Sequence, residues 1–110
     1  MALQKVTTDN MAEIEAGGPA LVEFSANWCV YCRRIEPALK RLSDRYAGRV
    51  TFGQVNIDDD PALEERFGVD TVPSLFAYDK QRGAWSEPLV APSSEAEIDA
   101  FLRAHLEVNV

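Results

Sequence analysis

Short, nearly continuous apolar runs alternate along this chain with longer stretches in which apolar residues return at helical spacing. Ala20-Leu21-Val22-Glu23-Phe24 has strand length and the unbroken apolar character of a central strand covered on both faces. From Cys29 the pattern turns helical: Ile35, Leu39, Leu42 and Tyr46 recur at i, i+4, i+7 and i+11, with Arg33, Arg34, Lys40, Arg41 and Arg45 on other faces. Pro37 lies inside this helix and removes one backbone bond, which predicts a kink, and Gly48 ends the helix. Val50 to Ile57 reads as a second central strand, with Gly53 as its weak spot.

The flanking segments complete the alternation. Gln4 to Thr7 is read as a first strand. Met11, Ile14 and the following Gly17-Gly18-Pro19 predict a short helix opened by Thr8 or Asp9 as cap. Asp58-Asp59-Asp60-Pro61 opens a short acidic helix that runs to Phe67 and closes at Gly68. Ser74 to Tyr78 reads as a strand and Asp79 to Gly83 as a polar turn. Trp85 to Val90 then forms the hairpin partner, confined to the sheet edge by Pro88. Ser94 and Glu97 make a capping box for a last helix whose apolar face is Ile98, Phe101, Leu102 and Leu106. The order β-α-β-α-β-α-β-β-α predicts an α/β fold. Parallel strands and an antiparallel hairpin share one mixed central sheet between two helix layers.

Length and charge narrow the function classes. One hundred and ten residues suit a single domain, 1–110, large enough for one core. The net charge of −7 argues against a nucleic-acid partner, whose phosphates call for a surplus of Lys and Arg. No apolar run reaches the roughly 20 residues that span a bilayer, so no membrane role is expected. The N-terminal residues carry no apolar signal-peptide core, and the chain is read as cytoplasmic and monomeric. There is no Gly-rich phosphate loop, so no organic cofactor is expected.

The candidate chemistry is Cys29-Val30-Tyr31-Cys32, where a strand gives way to a helix. A cysteine at a helix N-terminus faces free N–H groups and the positive end of the dipole, both of which favour the thiolate. Arg33 and Arg34 add positive potential. Cys32, one turn on, lies on the same side and within disulfide reach. A bridge closing so short a loop constrains the unfolded chain very little, so the pair is not a staple. Cys29 then attacks a substrate disulfide and Cys32 resolves the mixed disulfide. Half a zinc site is the competing reading. It lacks ligands, because structural zinc takes four and His105 is the only histidine; no metal is expected. Two cysteines placed by chance in a helix are the other alternative.

These residues and their setting resemble the thioredoxin family over nearly the whole chain. Leu21 to Cys29 resembles the strand that leads into a Trp-Cys-x-x-Cys site, and Pro37 matches the family's helix proline. Asn56-Ile57-Asp58 with Pro61, then Phe67-Gly68-Val69, is similar to its third strand and short helix. Thr71-Val72-Pro73-Ser74 matches the segment that carries a cis-proline facing the cysteines. The resemblance implies a cis Val72–Pro73 bond, with the Val72 backbone turned toward an extended substrate segment. It also implies a site-adjacent Trp28, for which a core anchor is the alternative. Tyr31 either covers the helix start or tunes the thiolate and shapes the surface.

The departures are equally specific. Val30-Tyr31 replaces the family's usual Gly-Pro, so the reduction potential is open. Glu23 stands where an aspartate is usual and Gln54 where many members have its lysine partner. A carboxyl in an apolar strand resists ionisation, and Glu23 is expected to exchange protons with Cys32. The alternative is an edge glutamate that reaches solvent. Ala91, before Pro92, replaces a glycine that lets partners approach, so altered partner choice is expected.

The implied activity is reduction of disulfide-bearing protein substrates, with an unidentified reductase or other electron donor. A disulfide oxidase or isomerase and a non-catalytic binding module are the alternatives.

Overall fold

The computed structural model describes residues 3–106 and orders them as β1 (Gln4–Lys5), α1 (Met11–Ala16), β2 (Ala20–Ser25), α2 (Val30–Arg45), β3 (Thr51–Asn56), α3 (Pro61–Phe67), β4 (Ser74–Asp79), β5 (Ala84–Trp85), β6 (Leu89–Val90) and α4 (Glu95–His105). The sheet runs β1-β3-β2-β4-β5, with β6 also against β4. β1 and β2 flank β3 in parallel, and β4 lies antiparallel to β2. The expected mixed sheet is therefore present.

Every residue of β2 is buried, as its apolar run predicts for a strand with helices above and below. On one face, Leu21, Phe52, Leu75 and Ala77 pack with Ile35, Leu39, Leu42 and Tyr46 of the α2 segment and Ile98 and Leu102 of α4. On the other, Val22, Phe24, Val55 and Phe76 pack with Met11 and Ile14 of α1 and Leu63 of α3. At the outer end of α2, Arg41 and Arg45 pair with Glu95, while Arg45 and Arg103 pair with Asp99. Tyr46 donates its hydroxyl proton to Asp99 at 2.6 Å.

Gly53 has a structural reason to be glycine. A Cβ there would lie 2.5 Å from Cγ2 of the buried Val6 side chain. Gly53→Ala is expected to lower stability by about 1–3 kcal/mol, the usual cost of overpacking. Urea unfolding should register this as a lower midpoint at unchanged slope.

Local details differ from the sequence reading at three points. Helix α1 is preceded by Asn10, not capped by Thr8 or Asp9, and Asn10 makes no side-chain cap. Asn10 Oδ1 accepts from the Thr7 N–H, and the Thr8 hydroxyl is engaged by Asp60 across the fold. The stretch from Trp85 to Val90 is two short strands rather than one, because Pro88, between them, cannot donate to a ladder. In the last helix the Ser94 hydroxyl accepts from the Glu97 N–H, but the Glu97 carboxylate accepts from the Ser93 N–H instead of the Ser94 N–H.

Candidate active site

The chain leaves the C-terminal end of β2, turns at Ala26–Trp28 and enters α2 with Cys29 at the N-cap position. Cys29 and Cys32 are joined as a disulfide with Cα atoms 5.3 Å apart. The Cys32 N–H donates to Cys29 Sγ at 3.1 Å, so one of the unpaired donors of the helix start is spent on sulfur. That contact, with the helix dipole, stabilises negative charge on Cys29 once the disulfide opens. Cys29 is 6% exposed and Cys32 1%, leaving Cys29 the more accessible residue of the pair. Arg33 donates back to the Asn27 carbonyl and braces the turn before Cys29.

Three further segments meet around the disulfide. The Val72–Pro73 bond is cis, as the resemblance implies, and the Val72 carbonyl oxygen lies 3.9 Å from Cys29 Sγ. Tyr31 reaches across to the loop after β6, its hydroxyl 3.2 Å from Ala91 O and 2.9 Å from Pro92 O. Ala91 adopts φ +47°, a left-handed conformation more natural to glycine. Trp28 is 64% exposed, which removes the core-anchor reading, and its indole N–H donates to Asp58 Oδ2 at 3.0 Å. Val30 and Val90 are the other large apolar side chains left exposed among the described residues. Asp58 was legible only as part of an acidic helix start; its partnership with Trp28 spans 30 positions and leaves no mark on local pattern.

Glu23 is buried on the same sheet face as Leu21, the face covered by α2. The edge-glutamate reading is thereby excluded. Gln54, directly across β3 in register, donates from Nε2 to Glu23 Oε1 at 2.9 Å. Glu23 Oε2 is buried with no partner among the described residues. Burial pushes the Glu23 carboxyl up from 4.5 to about 7; the Gln54 hydrogen bond offsets part of this, and the charge of Glu36, one turn beyond Cys32, adds to it. Gln54 also lines a cavity of about 340 Å³ with Ser25, Asn27, Asn56 and Lys5, so an open cavity adjoins the carboxyl's hydrogen-bond partner.

Among the described residues no group of three or more His, Cys, Asp and Glu side chains is placed to hold a metal ion, and no helix is long and apolar enough to cross a membrane.

A mixed sheet between helix layers, presenting a Cys-x-x-Cys disulfide at a helix start beside a cis-proline loop, defines a thiol–disulfide oxidoreductase. Comparison with known proteins agrees. The sequence model of the thioredoxin family matches residues 2–104, and the chain belongs to that family. It is similar to a thioredoxin of Allochromatium vinosum, 31% identical over 99 residues covering 88% of this chain and 91% of that one. A thioredoxin of Acidithiobacillus ferridurans is 31% identical over 93 residues, 84% of each chain. One from Staphylococcus haemolyticus is 35% identical over 78 residues, covering 71% and 75% respectively.

Proposed function

We propose that the chain reduces disulfides of protein substrates in a reducing compartment, the cytoplasm, and is itself re-reduced by a separate dithiol reductase. The observation that carries this reading is the position of Cys29, the more accessible cysteine, at the N-cap of α2 with an N–H already directed at it.

In the reduced protein the Cys29 thiolate attacks one sulfur of the substrate disulfide. A new S–S bond forms, the substrate bond breaks, and the departing substrate thiolate takes a proton. Cys32 then loses its proton and attacks Cys29 Sγ, releasing the second substrate thiol and closing the Cys29–Cys32 disulfide. Two electrons have passed to the substrate.

Glu23 is the base in this scheme. Its raised pKa leaves it divided between both protonation states near neutrality, which suits a group that takes the Cys32 proton and returns it when the disulfide is reopened. Glu23 lies on the sheet face that α2 covers, and α2 carries Cys32, which supports a proton path between them through a water. Trp28, Val30 and Val72–Pro73 form the substrate-contacting rim, with Tyr31 and Ala91 at its far edge.

Equilibration in defined thiol–disulfide buffers, followed by the fluorescence of Trp28, tests the direction of electron flow. A reduction potential near the roughly −270 mV of thioredoxin is expected. A value between about −180 and −120 mV would make the protein a disulfide donor or isomerase and overturn the reductase reading.

A further inference from the structure

Tyr31 sits between the two cysteines, yet its hydroxyl is spent 60 residues away. It lies within hydrogen-bond distance of both Ala91 O and Pro92 O, so its single proton is shared between two carbonyls. The N–H of Ala91 donates to Pro73 O at 2.9 Å. Both backbone polar groups of Ala91 are therefore engaged inside the protein. Pro73 follows Val72, whose carbonyl oxygen approaches Cys29 Sγ. Tyr31, the Ala91 loop, the cis-proline loop and Cys29 thus form one closed circuit around the disulfide.

An extended polypeptide laid beside a site gains affinity through main-chain hydrogen bonds whatever its side chains. Such a segment can use the Val72 side of this site. On the Ala91 side it meets a carbonyl with one of its two acceptor sites facing the Tyr31 hydroxyl, an N–H already given to Pro73, and the exposed apolar side chain of Val90. We infer that Tyr31 is a specificity-determining residue. By directing its hydroxyl at the Ala91 and Pro92 carbonyls it competes there with the main chain of an extended polypeptide, and favours small or tightly turned disulfides that need no hydrogen bond on that side. The inference rests on the reductase reading above.

Tyr31→Phe keeps the ring and frees both carbonyls. Reduction of three probes by the fully reduced protein separates the possibilities: a linear peptide disulfide, the same peptide with the backbone amides flanking its cysteine N-methylated, and bis(2-hydroxyethyl) disulfide. The preference for one probe over another is read within a single protein sample. A change in thiolate reactivity common to all probes, or in the folded fraction, therefore cancels. The variant is expected to raise the rate constant ratio of linear peptide over bis(2-hydroxyethyl) disulfide by about 2- to 10-fold, the value of one added hydrogen bond. The gain should lie in KM and vanish with the N-methylated peptide.

An unchanged preference, or a gain that survives N-methylation, overturns the inference while leaving the reductase reading intact. A parent protein that reduces none of the probes overturns the reductase reading and this inference with it.

Discussion

Cys29→Ser is expected to abolish disulfide reduction, whereas Cys32→Ser is expected to attack still and to stop at the mixed disulfide. The two outcomes differ because the sulfurs occupy different places. Cys29 is the more accessible and receives the Cys32 N–H. A serine hydroxyl there is far less acidic than a thiol and forms no disulfide, so no stabilising field at the helix start restores the nucleophile. Cys32 is almost fully buried and bonded to its partner sulfur. Its loss leaves the first step intact and removes the second. Mass spectrometry of each variant after exposure to a peptide disulfide checks this. An adduct of one peptide should accumulate on Cys32→Ser and be absent from Cys29→Ser. The reverse pattern would exchange the roles of the two sulfurs.

Glu23→Gln is expected to flatten the dependence of stability on pH and to slow turnover at neutral pH. In the folded protein Glu23 holds its proton up to about 7, against an ordinary value of 4.5. Between those values the folded state binds more protons than the unfolded state, so stability falls as pH rises from about 4.5 through 7. At about 1.4 kcal/mol per pKa unit, this costs roughly 3 kcal/mol once the carboxyl is ionised. An amide at this position carries no charge and still accepts from Gln54. The variant should therefore exceed the parent in stability at pH 8, and the difference should shrink toward pH 5. Urea unfolding across this range measures it. Turnover should fall because an amide cannot take the Cys32 proton; kinetics equal to the parent's would remove Glu23 from the mechanism.

Much of this architecture is legible in the sequence because burial leaves a periodic trace. Ile35, Leu39 and Leu42 share one helix face because all three meet the same side of the sheet. The unbroken run through β2 follows from helices on both sides, and Glu23 within it is conspicuous for the same reason. What periodicity cannot carry is the docking of one segment on another. The Tyr31–Ala91 contact crosses 60 positions, and Trp28–Asp58 crosses 30; neither alters the local pattern of either partner. The division of the edge stretch into β5 and β6 depends on how both pieces settle against β4. Gly53 looks like a flaw in a strand until Val6 is seen occupying the space beside it. The cis state of Val72–Pro73 was legible only through resemblance to a family, since the dipeptide itself carries little isomer preference.

The belt of charges that joins α2 to α4 bears on how the protein cycles between its two redox states. Each exposed pair in it stabilises little by itself. Together with the Tyr46–Asp99 hydrogen bond and the core beneath, they clamp the end of α2 opposite the cysteines. The helix is thus a lever held at its far end. Any rearrangement on opening the Cys29–Cys32 disulfide is expected to stay within its first turn, where both sulfurs lie.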